Sequence, residues 1–389
     1  MRVLVDGWPM LGRRTGVGQY GLRLVGALAD LEARSQVEAV GVFDGRRVVP
    51  AGDFLKSIAA HSAGGGREGL KRIVRRLWPR CRDWADERRR RLLRRASGIS
   101  QWTVFHEPNF VSPQFELPLV TTVHDMGYLR YPEFLPKDRL AWLRRRMAQT
   151  LSQSRSIITD SEFTRSELLQ LCPQVDPGRV WVTHLGVDIE YFSDPLHLAR
   201  RAELRSRFGL PRRFALYLGT LEPRKNLQGL VEAYGLLPPA LQREYPLVLA
   251  GMPGWNQGYF RASLEMLRRR GVLFELGYVD SADVPALMKA ASVFCFPSLY
   301  EGFGLPPLEA AACGTAVLSS NRASLPEVMG DAALYVDPAS AADIAAGLAR
   351  LFEDEPLRLR LAAAGQARAA LFSWETCAQQ TLAAYRAAA

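Results

Sequence analysis

Cysteine is scarce in this 389-residue chain. The five cysteines (Cys81, Cys172, Cys295, Cys313, Cys377) are odd in number and widely spaced, which argues against a disulfide framework or a zinc site and implies a reducing, cytosolic setting. No apolar run approaches the roughly 18 residues of a membrane span. The opening MRVLVDGWP goes straight into a strand-like stretch with an early acidic residue, so neither secretion nor a membrane-spanning segment is expected. Internal repeats and low-complexity tracts are missing apart from one arginine run. What remains is ordinary globular composition, 48% hydrophobic and 23% charged, in a chain long enough for two domains, each with its own core.

The net charge of +10 is unevenly spread, since Arg67 to Arg95 holds 13 Lys or Arg against 4 acids. Leu70, Ile73, Val74, Leu77, Trp78, Trp84, Leu92 and Leu93 are interleaved with these arginines, the pattern of a basic amphipathic helix broken at Pro79. Two readings stay open. Such a helix can lie on an anionic membrane surface, each arginine gaining ~1 kcal/mol there, or be a solvated face packed by its apolar side. Nucleic acid is not expected, because no nucleic-acid fold signature accompanies the charge.

Strand and helix alternate along the whole chain. RVLVDG reads as a strand, and a glycine loop follows in which Gly16 and Gly18 sit where backbone can approach a ligand closely. The helix after it carries Leu22, Val25, Leu28 and Ala29 on one face, and VEAVGVF completes the first unit. WTVFHEPNF and LPLVTTVHDMGYL are apolar strands that each end in a histidine beside an acid, His106 with Glu107 and His124 with Asp125. Open α/β sheets bind ligands at such carboxyl ends, although a lone histidine is more often a structural group. Ser161 suits the N-cap of SEFTRSELLQL. After a charged connector around Tyr191 to Gly209, RFALYLGT is a strand ending in Gly219, and EPRKN carries Arg224 and Lys225 into the next helix. The alternation predicts an α/β protein of two Rossmann-like parallel-sheet domains facing a cleft, 1–190 and 191–371, with 372–389 a terminal helix.

The most informative stretch is YEGFGLPPLEAAACGTAVLSS, Tyr300 to Ser320. Glu301 sits in a glycine-containing turn, Pro306 and Pro307 start a helix, and Glu309 is expected in its first turn. N–H groups around Gly304 to Leu308, at the positive end of the helix dipole, would favour an anion such as phosphate. A carboxylate can accept from a bidentate diol, so a phosphate site beside two glutamates suits a nucleotide sugar. The plainer alternative is that both glutamates are solvated helix-start residues.

This segment resembles the E-x7-E signature of retaining glycosyltransferase family 4. LYLGTLEPRKNLQGLVEAY resembles the family's glycine-then-Arg-Lys-Asn phosphate loop, and SLPEVMGDAALYVDP its continuation. The resemblance covers Gly186 to Phe372 well and the N-terminal half more loosely. It implies the GT-B fold, an acceptor-binding first domain with a basic helical insertion at about 67–95, a nucleotide-sugar-binding second domain, and a terminal helix crossing back to the first. Implied catalytic residues are His124, Arg224, Lys225 and Glu301. Implied donor contacts are Gly16, Gly18, Gly219, Tyr278, Val279, Gly302, Phe303, Gly304, Leu305 and Glu309, with His106, Glu107, Asn109 and Asp125 on the acceptor side. No Asp-x-Asp pair occurs, so no metal and no cofactor are expected beyond the nucleotide sugar as co-substrate. Arg224, Lys225 and the helix start would then neutralise the diphosphate.

The implied reaction is retaining transfer of a sugar, mannose from GDP-mannose, to a carbohydrate or lipid-linked acceptor in surface polysaccharide assembly. The expected location is cytoplasmic, with peripheral contact to the inner membrane face. A UDP- or dTDP-sugar transferase of the same family is the first alternative. A non-enzymatic lipid- or nucleic-acid-binding protein is the second.

Overall fold

The computed structural model describes residues 1–11, 16–61, 78–113, 115–252 and 261–389. The expected glycine loop at 12–15 and the first part of the basic stretch, 62–77, lie outside the described residues. The chain forms two compact units, Met1–Gly186 with Trp374–Ala389, and Val187–Ser373.

The first unit is built on a seven-stranded sheet of order β3-β2-β1-β4-β5-β6-β7. Its strands are β1 (Arg2–Asp6), β2 (Ala39–Phe43), β3 (Val48–Pro50), β4 (Val104–Glu107), β5 (Leu119–Val123), β6 (Ser154–Thr159) and β7 (Val180–Val182). Every pairing is parallel except β2 with β3. β4 and β5 are buried along their whole length, the near-continuous burial expected of parallel strands covered on both faces. β3 was not expected. It is three residues long, ends in proline and sits at the edge, where a missing ladder donor does no harm.

The second unit repeats the plan in a six-stranded sheet of order β10-β9-β8-β11-β12-β13. Its strands are β8 (Ala215–Leu218), β9 (Leu247–Ala250), β10 (Leu273–Gly277), β11 (Val293–Phe296), β12 (Val317–Ser320) and β13 (Ala333–Val336), all parallel. In both units the order reverses direction between the first strand and the fourth, β1 beside β4 and β8 beside β11. That is the point where an open α/β sheet leaves a crevice beyond its strand ends.

Two local expectations change. Gly18 is not in a loop. The helix Gly16–Ala33 has already begun, so Gly18 is buried in its first turn and Gly16 is its exposed first residue. The described part of the basic run is the helix Trp78–Ser97, which begins beside Pro79, and proline is tolerated in a first turn. The connector near Tyr191 is itself helical over Leu196–Phe208. It packs on the helix Val284–Ala290, with Arg200 and Arg207 both paired to the buried Asp283.

The terminal helix Trp374–Ala388 belongs to the first unit. It lies against the helix Gly16–Ala33 and β6, with Cys377, Ala378, Leu382 and Tyr385 buried.

Candidate functional site

Phosphate chemistry in the second unit would rest on the ends of β8 and β11. Past β8, Pro223–Lys225 form a single turn that Asn226 ends with φ 56°. Asparagine tolerates this left-handed backbone, and its carboxamide donates to Pro297 O (3.0 Å) and Pro338 O (2.7 Å) while its Oδ1 accepts from Gly229 N–H (3.3 Å). The turn holds two cations over Glu301. Lys225 Nζ lies 2.7 and 2.9 Å from the two carboxylate oxygens, and Arg224 donates to Glu301 Oε2 (3.3 Å), Tyr300 O (3.0 Å) and Glu222 Oε1 (3.0 Å). Burial alone would raise the Glu301 pKa, but Lys225 and Arg224 outweigh it and hold the carboxyl below its usual range. Glu301 is therefore an ionised, acceptor-only group.

Ser324 pins this turn from beneath, donating to Glu301 O (3.0 Å) and Phe303 O (2.9 Å). Gly304 follows with φ 106°, where a Cβ would come within 2.5 Å of Leu325 Cδ2, and caps the helix Leu305–Ala312. Glu309 is half-buried in that helix's second turn, not its first, because the helix begins at Leu305. The supply of N–H donors is narrower than expected. Pro306 and Pro307 provide none, and Leu308 N–H already donates to Gly304 O (3.4 Å).

Beside this cluster three neighbouring strands end in glycine. Gly219, Gly251 and Gly277 follow or end β8, β9 and β10, linked by Gly219 N–H to Ala250 O (3.0 Å) and Gly251 N–H to Gly277 O (2.7 Å). A Cβ on Gly251 would stand 1.9 Å from Gly219 O, so this edge is bare backbone by necessity. Tyr278 is 47% exposed and Val279 buried just beyond it. Gly302 and Phe303 are buried, and Leu305 is half-buried.

In the first unit the predicted residues cluster but are engaged inward. His106 is fully buried, with Nε2 2.8 Å from Thr122 Oγ1 and Nδ1 2.7 Å from Tyr385 OH. Burial lowers its pKa to about 3, so it is a neutral anchor for the terminal helix and presents nothing to an acceptor. Glu107 is buried and shares Arg89 with Asp6. Arg89 Nε lies 2.9 Å from Asp6 Oδ2 and Arg89 NH2 2.7 Å from Glu107 Oε2. Burial, set against only one guanidinium for two carboxylates, pushes the Glu107 pKa up to about 8. Asp125 Oδ1 accepts from Gly127 N–H (2.8 Å). His124 donates from Nε2 to Pro108 O (2.9 Å) and pairs through Nδ1 with Asp160 Oδ2 (2.7 Å). Asn109 is half-buried on the turn after β4.

Arg89, Asp160, Asn226, Ser324 and Tyr385 were given no role from the sequence. For Arg89 a signal existed, since it shares a helical stripe with Leu92, Leu93 and Ala96. Each of the other four has a partner 23 or more residues away, which spacing cannot reveal. Among the described residues no group of three or more His, Cys, Asp or Glu is placed to hold a metal ion.

Residues 15–191 match the family model Glycosyltransferase Family 4, and residues 201–368 match Glycosyl transferases group 1. The O-antigen chain mannosyltransferase B of Escherichia coli is 36% identical over 396 residues, covering 99% of this chain and 100% of that one. A D-inositol 3-phosphate glycosyltransferase of Salinispora arenicola is 30% identical over 285 residues, 69% of this chain and 63% of the relative. In fold, the sucrose-phosphate synthase of Thermosynechococcus elongatus superposes with TM-score 0.74 at 20% identity, over 99% of this chain and 98% of that one. Two parallel-sheet units, a cation pair over a buried glutamate and a full-length relative at this identity converge: the chain belongs to glycosyltransferase family 4 and is a glycosyltransferase of the GT-B fold.

Proposed function

We propose that this enzyme transfers mannose from GDP-mannose, with retention and without a metal ion, to a carbohydrate or lipid-linked acceptor in surface polysaccharide assembly. The observation that carries the proposal is the Lys225–Arg224–Glu301 cluster beside the Gly304 helix start. The name of the full-length Escherichia coli relative supports the sugar and the pathway class. Lys225 and Arg224 would neutralise the donor diphosphate, Glu301 would accept from the sugar's hydroxyls and Glu309 from the ribose. The anomeric C–O bond to the β-phosphate breaks as the acceptor oxygen bonds to the same carbon. The acceptor's proton passes to the departing phosphate oxygen, releasing GDP. Charges already in place when the leaving group develops its own are the main catalytic contribution.

Calorimetry against GDP, UDP, dTDP and ADP, with and without EDTA, tests the reading. GDP-selective binding that persists in EDTA and is lost in Glu309→Ala is the expected result, together with a roughly 10²–10³-fold loss of transfer in Lys225→Ala. UDP selectivity would overturn mannose and keep the transferase chemistry.

We further propose peripheral contact with anionic membrane through the exposed side of the helix Trp78–Ser97. Trp84 is 67% exposed with Arg88 over its ring (5.9 Å), and Arg95 is exposed beyond it. Arg89 is unavailable for this, being paired inward with Asp6 and Glu107. Co-sedimentation with anionic but not zwitterionic vesicles, weakened in Arg88→Ser/Arg95→Ser, is expected; equal binding to both would discard the idea.

A further inference from the structure

The turn after β4 carries a strain that one ring sustains. Phe110 has φ 56°, a left-handed backbone that a bulky side chain rarely adopts and that persists only where its surroundings over-determine it. Its N–H donates to Thr122 O (3.0 Å), and the preceding Asn109 N–H donates to Glu107 Oε1 (3.1 Å). Between them the Pro108 carbonyl accepts from His124 Nε2 (2.9 Å), and the Phe110 ring packs edge-on against the same imidazole, centroids 5.5 Å apart at 74°. The His124 imidazole also meets Tyr20 edge-on (4.9 Å, 81°), and its Nδ1 lies 2.7 Å from Asp160 Oδ2. Asp125 also faces it, His184 faces Asp160, and His106 lies near.

Both partners of His124 are acceptors, and this fixes where its hydrogens are. If Asp160 is ionised, the ring is an imidazolium donating from both nitrogens. If the shared proton sits on Asp160, the ring accepts at Nδ1 and still donates from Nε2. Nε2 carries a hydrogen in either case. Burial alone would lower the His124 pKa, but Asp160, the Pro108 carbonyl and Asp125 outweigh it and raise the value.

We propose that His124 is a positioning residue whose Nε2–H clamps the strained Pro108–Phe110 turn and thereby sets the acceptor-side surface around Asn109, and that it does not serve as a base. The proposal rests on the glycosyltransferase reading for its kinetic consequence, though not for its structural one.

Two measurements on the full chain test it. In wild type labelled with 15N-histidine, an Nε2-bound proton on His124 should persist from pH 6 to 9; an unprotonated Nε2 anywhere in that range overturns the proposal. In His124→Phe, amide exchange at Phe110 and Val111 should accelerate at least tenfold while β11 and β12 are unchanged. The acceptor KM should rise at least tenfold with the donor KM within twofold, and His124→Gln, which keeps a donor, should fall between. Unchanged exchange at Phe110 and Val111 overturns the clamp. A donor KM that rises while the acceptor KM stays fixed overturns it too, and leaves glycosyl transfer standing.

Discussion

The two units share a strand order and therefore a crevice in the same topological place, yet they fill it in opposite ways. At the ends of β1 and β4 the first unit inserts Arg89 and clasps it between Asp6 and Glu107, all three buried or nearly so. At the ends of β8 and β11 the second unit gathers Lys225 and Arg224 over Glu301 beside backbone stripped of side chains at Gly219 and Gly251. One strand-end site holds a structural ion triad, the other a cation pair and a glutamate beside a glycine edge. A shared fold thus fixes where a crevice lies, and the residues at the strand ends decide whether it is plugged or left for a ligand.

The largest expected effect comes from breaking the plug. Arg89→Met leaves two buried carboxylates without a cation and should cost the first unit about 3–5 kcal/mol; urea unfolding checks this, and a change under about 0.5 kcal/mol would mean the triad is not holding the helix. The triple change Asp6→Asn, Glu107→Gln, Arg89→Met should recover most of the loss, because no charge is then stranded.

A smaller effect sharpens the other side. Gly251→Ala drives a methyl into Gly219 O at a φ of +146°, and should cost about 2–3 kcal/mol in the second unit. GDP affinity, measured by calorimetry, should fall with it. Retained affinity would show that the bare rim serves packing alone.

The gentlest test is acid. The unfolded chain protonates His106 near 6.5, whereas the fold refuses that proton until about pH 3. Its contribution is therefore full above pH 6.5 and drains away as the pH falls through that window. Glu301, held below its ordinary 4.5, keeps its contribution until the pH drops under that value. Glu107 runs the other way: with its pKa raised from 4.5 to about 8, the stability it adds is present at low pH and lost as the pH climbs through 8. Melting curves from pH 7 to 4 should show these two groups of the first unit offsetting each other, and His106→Gln, which leaves Glu107 unopposed, should make that unit gain stability as the pH falls through 6.5.

Much of the second unit was legible in the sequence. Its strands are short apolar runs bounded by glycine, and Gly304, the proline pair and Gly314 mark the start and stop of the helix Leu305–Ala312. The first unit was harder for a physical reason. Its site-like residues are matched by partners distant along the chain, Asp160 for His124 and Tyr385 for His106, so residue type suggested a surface chemistry that burial redirects. Glycine spacing misled at Gly18, because nothing local says that a helix has already begun at Gly16. In the basic run the charge count was correct, while its direction depended on helical phase, which turns Arg89 inward and leaves Arg88 and Arg95 outward.

Tyr385 reaches His106 across 279 positions of sequence. During synthesis, the second unit's continuous stretch 187–373 has emerged before the helix that completes the first unit exists. The first unit must wait on the ribosome with β4, β5 and the helix Gly16–Ala33 lacking their cover, and is the one exposed to premature association. Expression of residues 1–186 alone should give an aggregation-prone fragment, rescued by supplying 374–389 on a short linker.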